Sequence, residues 1–150
     1  MSMLPTRLDR IDDKLAALQT ALVAALPATR TIGLGFVPYT DRTPAELTAG
    51  VWNIVQAGEG DYHNGRGMEA KEGTLKVHLI GHIQVEEDAT RAELQQAEID
   101  MAEEIKAFVR TGVAGMTLML DSIEPSRLLE HPYGWVVAFL ELRPPSANTH

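Results

Sequence analysis

Residues 74–85 read TLKVHLIGHIQV, and this run carries the clearest structural signal in the chain. Leu75, Val77, Leu79, Ile83 and Val85 point one way, and Lys76, His78, Ile80, His82 and Gln84 point the other. A period of two is that of a strand whose two faces meet different surroundings. At about 3.4 Å per residue the run extends roughly 40 Å. That is unusually long for a strand of a compact domain of this size.

Downstream, Thr90 followed by Glu93 supplies the chemistry of a helix start. Leu94, Ala97, Met101, Ile105 and Phe108 then form an apolar stripe at helical spacing, and the helix is expected to end before Gly112. Residues 116–123 have the composition of a strand. Pro125 and the run His131, Pro132, Tyr133, Gly134 bracket a loop. Residues 135–143, WVVAFLELR, form the last strand. Val136, Ala138, Leu140 and Leu142 lie on one face, with Trp135, Val137, Phe139 and then Glu141 on the other. A strand apolar on both faces is either central beneath two layers or half-covered by another subunit.

Upstream, Leu4, Leu8, Ile11, Leu15, Leu18, Leu22 and Leu26 make one continuous stripe on a helix that Pro27 stops. Arg7, Arg10, Asp12, Asp13, Lys14 and Gln19 fill its other face. Packing on the sheet accounts for the stripe; a coiled-coil seam would last only about three heptads. Residues 31–37 alternate, with Ile32, Leu34 and Phe36 on one side, and read as a strand. Its Gly33-x-Gly35 does not continue into a dinucleotide turn, because Pro38 stands where the third glycine belongs. Residues 38–50 form a loop with a helical turn at Thr43-Pro44-Ala45-Glu46. Residues 51–57 are a second strand, apolar except for Asn53 and Gln56. Residues 58–73, GEGDYHNGRGMEAKEG, are read as an exposed hairpin arm or mobile loop. The expected fold class is α+β. It has a largely antiparallel or mixed sheet with two amphipathic helices packed on one face, one domain over residues 1–143 and a flexible tail over 144–150.

Composition narrows the functional classes. The chain of 150 residues has no cysteine, which excludes disulfides, thiolate metal sites and a cysteine nucleophile. The formal net charge is −8, so general binding to nucleic acid or anionic lipid is disfavoured. Aromatic residues make up 5%, too few for a base-stacking platform. The apolar run 21–26 is far short of the ~20 residues of a membrane span. A cytosolic protein is expected.

No catalytic constellation emerges. His78 and His82 share a strand face, but four strand residues separate them by roughly 13 Å, which one metal ion cannot bridge. Asp61, Tyr62, His63 and Arg66 sit in the glycine-rich arm, where little fixes their rotamers, so partner contact suits them better than catalysis. Glu86-Glu87-Asp88 suits a helix N-terminus, and Glu103-Glu104 suits a solvated helix face. Walker, nucleophile-elbow and HExxH motifs are absent. No catalytic residue, metal or cofactor is expected.

The order of elements resembles the tail-terminator proteins of long-tailed bacteriophages, also called minor tail or tail-completion proteins. An amphipathic N-terminal helix leads to a strand bounded by Gly and Pro. The loop 61–73, the long strand TLKVHLIGHIQV, an acidic-start helix and the closing GWVVAFLELR follow. The resemblance covers roughly residues 4–143. It implies a structural virion protein without catalytic residues. Six copies would form a ring capping the head-proximal end of the tail tube, ending polymerisation and offering a surface for head joining. The implied partners are further copies of itself, the tail tube protein and a head–tail connector or neck protein. There would be no membrane partner, and DNA would pass through the lumen unbound. Trp135, Val137, Phe139, His78 and His82 are then the expected subunit interface, and Tyr62, Arg66 and Met68 the expected tube or connector contacts. Another neck protein, or a small cytosolic enzyme using Tyr62 and His63, are the alternatives.

Overall fold

The computed structural model describes residues 10–62 and 73–144. Within them the chain is an α+β fold with three helices and a five-stranded mixed sheet. The helices are α1 (Ile11–Ala25), α2 (Pro44–Ala49) and α3 (Arg91–Thr111). The strands are β1 (Thr31–Leu34), β2 (Val51–Gly60), β3 (Thr74–Gln84), β4 (Thr117–Pro125) and β5 (Tyr133–Arg143). Their spatial order is β1-β2-β3-β5-β4. Only β1 and β2 run parallel; every other neighbouring pair is antiparallel. β3 is the middle strand of the sheet, and its Leu75, Val77, Leu79 and Ile83 are buried on one face.

That first face holds the core. Leu18, Leu22 and Leu26 from the α1 end of the layer, and Leu94, Met101, Ile105 and Phe108 from α3, pack on Trp52, Ile54, Leu79, Ala138 and Leu140. Burying side chains of this size stabilises the fold by about 1.5–3 kcal/mol each. Gly81 is required here: a Cβ would fall 2.8 Å from the Trp52 ring and 2.9 Å from Met101. Thr90 caps α3 by accepting from the Glu93 N–H at 3.1 Å, and Glu93 reaches back to the Thr90 N–H. Gly112, at φ 79°, ends the helix in a conformation that glycine adopts without strain.

The structure corrects several sequence expectations. Lys14, expected on the outer face of the first helix, is 3% exposed and ion-paired with Glu59. Glu104, expected in solvent, pairs with Arg30, which also donates to the Ala49 carbonyl. β1 stops at Leu34, because Gly35 at φ 87° turns the chain, and Phe36 crosses to the opposite face. β2 runs three residues further than expected, to Gly60, so the start of the supposed arm is strand. The helical turn at Thr43 is the capped start of α2. Leu4 and Leu8 of the N-terminal stripe, most of the arm and residues 145–150 of the tail lie outside the described residues.

Candidate functional site

The second face of the sheet is a grid of nine side chains set by strand register. Val51, His82 and Trp135 form one row, Asn53, Ile80 and Val137 the next, and Val55, His78 and Phe139 the third. Antiparallel pairing and the two-residue period bring these residues together although they come from three distant stretches of sequence. The rows differ in cover. Val51, Asn53 and His82 are buried, whereas Val55, His78, Ile80, Trp135, Val137 and Phe139 are half-buried.

The cover comes from the chain itself. Residues 35–50 cross the first row as a strap containing a 3-10 turn at Tyr39–Asp41 and α2. Phe36 and Tyr39 stand edge-on to His82, with ring centres at 5.7 and 6.2 Å, and Tyr39 also meets Tyr133 at 5.1 Å. Asn53 is the anchor. Its amide donates to the Ile80 carbonyl at 2.9 Å, and its oxygen accepts from Arg42 at 2.9 Å and from the Val37 N–H at 3.3 Å. Burial first, and the Arg42 charge second, lower the His82 pKa. His82, expected as a subunit contact, is 7% exposed beneath its own chain.

The third row is open. His78 packs edge-on to Phe139 at 4.7 Å, and among the described residues no strap side chain stacks on either ring. Past that row the face becomes charged. Lys76 pairs in register with Glu141, and Arg143 donates to Glu141 at 2.8 Å. Arg143 pulls the Glu141 carboxyl below the usual range, while lost hydration and Glu141 push the Asp121 carboxyl up. Met119, 39% exposed, lies opposite Glu141 on β4.

Of the expected arm contacts, Tyr62 is the one among the described residues. Tyr62 stands at the root of the arm, 40% exposed, and the neighbouring Glu59 raises its pKa. A Cβ on Gly73 would lie 2.7 Å from the Tyr62 ring, so glycine lets the two ends of the arm close on each other. Lys14 of α1 seals the root by pairing with Glu59 and donating to the Gly73 carbonyl at 3.0 Å. Arg66 and Met68 lie outside the described residues.

A groove of about 620 Å³ opens between α3 and β4, lined by Ile99, Ala102, Ile123, Pro125, Leu128 and Val136. Glu98, 3% exposed at its edge, accepts from the Ser126 N–H at 3.2 Å and from the Ser126 hydroxyl. It pins the turn in which Arg127 and Leu128 take φ of 65° and 63°. Among the described residues no group of three His, Cys, Asp or Glu side chains is placed to hold a metal ion, and no helix is long and apolar enough to cross a membrane. Sequence reasoning singled out the β3 and β5 parts of the face and missed the roles of Asn53 and Arg42. The available signal was an asparagine inside an otherwise apolar strand, which needs buried partners. No family model matches the chain, and no curated protein matches it.

Proposed function

We propose that this chain is a structural, ring-forming subunit of the tail-terminator type. It caps the head-proximal end of a phage tail tube and presents a surface for head joining. The observation that carries the reading is the open part of the second sheet face. Helices cover one side of the sheet, but Ile80, Val137, Phe139 and His78 stay half-buried on the other. An apolar sheet face left uncovered at the centre of the fold suits burial by a second copy. The order of elements supports the same assignment through its resemblance to tail terminators. Recognition of tube or connector belongs to the arm, whose root at Tyr62, Glu59 and Lys14 is firmly tied to α1.

The test is Phe139→Asp. A carboxylate in a desolvated subunit contact costs several kcal/mol. Sedimentation should give a folded variant that no longer forms the large assembly of the unaltered protein, and phage assembled with it should carry over-long or unjoined tails. A variant that associates normally rules out this face as the contact. Tails of normal length in the absence of the protein rule out the terminator role.

A further inference from the structure

The strap of residues 35–50 is held by the buried Leu47 of α2, by Arg30 on the Ala49 carbonyl and by contacts around Asn53 and His82, and among these groups His82 is the one that titrates near neutral pH. Gly35 leaves β1 with its N–H on the Ile54 carbonyl at 2.7 Å. Asn53 holds Val37 and Arg42, and Tyr39 rests on Tyr133. Phe36 and Tyr39 close over His82. The imidazole is 7% exposed, and among the described residues neither its Nδ1 nor the Arg42 Nε has a hydrogen-bond partner.

The groups around His82 are defined on every side. Phe36 and Tyr39 face it from the strap, and Arg42 brings a positive charge from the same segment. Val51 of β2 and Trp135 of β5 flank it in register, with Tyr133 next along β5. The acids of the strap are Asp41, in the turn with Tyr39, and Glu46, which is engaged with Arg42 at 3.4 Å. Among the described residues no carboxylate bonds to the imidazole.

We propose that residues 35–50 form a proton-operated clasp, closed over the second sheet face while His82 is neutral and released when His82 gains a proton. An imidazolium in this position has lost its water and stands near a guanidinium, both of which oppose the charge. Opening the strap restores hydration and moves Arg42 away. The sign follows from the depressed closed-state pKa. Closure is fully favoured above the free histidine value of about 6.5 and weakens as pH falls below it. The opening constant then rises by at most about tenfold per pH unit until the closed-state imidazole itself titrates. On the tail-terminator reading, release would extend the open face by the row of Val51 and His82; the clasp itself does not depend on that reading.

Amide hydrogen exchange on the full chain tests the clasp. The Val37 N–H reports on the strap through its bond to Asn53, and the Met101 N–H in α3 reports on global opening. Between about pH 7.5 and 5.0 the Val37 protection factor should fall roughly tenfold while that of Met101 holds, and in His82→Gln the fall should disappear. Should His82→Gln fail to fold, the ring signals of His82 in the unaltered protein decide the matter, and they should titrate below about 6.5. Constant Val37 protection, an equal fall in His82→Gln, a parallel fall at Met101, or a His82 titration at or above the free value would each overturn the proposal.

Discussion

The buried pair at the root of the arm allows a sharp test of how the fold closes. Lys14 is 3% exposed and Glu59 is 5% exposed, so both charges have left water. Each is compensated: Lys14 donates to Glu59 and to the Gly73 carbonyl, and Glu59 stands beside Tyr62. Lys14→Met removes one charge and strands the other, together with the Gly73 oxygen. Breaking a buried pair in this way costs about 3–5 kcal/mol, a large share of the roughly 5–15 kcal/mol that holds a domain of this size together. Replacing both partners by apolar groups of similar volume, Lys14→Met with Glu59→Leu, removes the stranded charge. That double variant should lie within about 1–2 kcal/mol of the unaltered protein, with Tyr62 and Gly73 accounting for the remainder. Urea denaturation of the four proteins of the cycle gives the coupling energy directly. A single-variant loss below about 1 kcal/mol, typical of a solvated pair, would refute the buried geometry. So would additivity of the two single variants, since additivity means that the groups do not sense each other.

Two further outcomes follow from local geometry. Gly81→Ala sets a methyl group 2.8 Å from the ring of the fully buried Trp52 and should cost about 1–3 kcal/mol in urea denaturation; a loss under about 0.5 kcal/mol would mean that Trp52 can shift. Thr90→Ala removes the acceptor for the Glu93 N–H and should cost about 1 kcal/mol, with Thr90→Ser restoring most of it, whereas an unchanged denaturation midpoint would show that α3 is held by packing alone.

What the sequence made legible was periodic or capped. β3 and β5 announce themselves by alternation, and α3 by its stripe, its Thr90–Glu93 start and Gly112. The charged residues misled, because the burial of a charge depends on a partner that local pattern does not reveal. Lys14 finds Glu59 45 residues away, Glu98 finds Ser126 at 28, and Arg30 finds Glu104 at 74. In sequence each looks like part of a solvated helix face or loop. β1 failed differently. Its alternation continues on paper through Phe36, but Gly35 takes a positive φ and sends that ring to the other side of the sheet. The site suffered most from this error: with Phe36 placed on the same side as Ile32 and Leu34, nothing suggested that His82 had a lid. Asn53 carried the better clue. A fully buried amide in an apolar strand has to satisfy donors and acceptors, and the groups it satisfies are those that hold the strap.

The sheet offers two edges and one half-open face to a second copy, and they are not equivalent. The β1 edge is four residues long and ends at a glycine turn. The β4 edge is longer, but its register slips between Leu120 and Ser122, leaving Asp121 as an unpaired bulge, and Glu124 follows on the exposed side. Short edges, bulges and edge charges are the devices by which sheets resist strand addition. The bulge serves the core as well, since it lets Leu120 and Ile123 both pack against the first face. Among the described residues the face has no such protection between the strap and the Lys76–Glu141 row; there Ile80, Val137, Phe139 and His78 keep part of their surface in solvent. On the proposed ring-forming reading, a second copy would therefore meet side chains rather than backbone edges. An interface of that kind is sensitive to a single charge at its centre, which is why Phe139→Asp discriminates where an edge substitution would not.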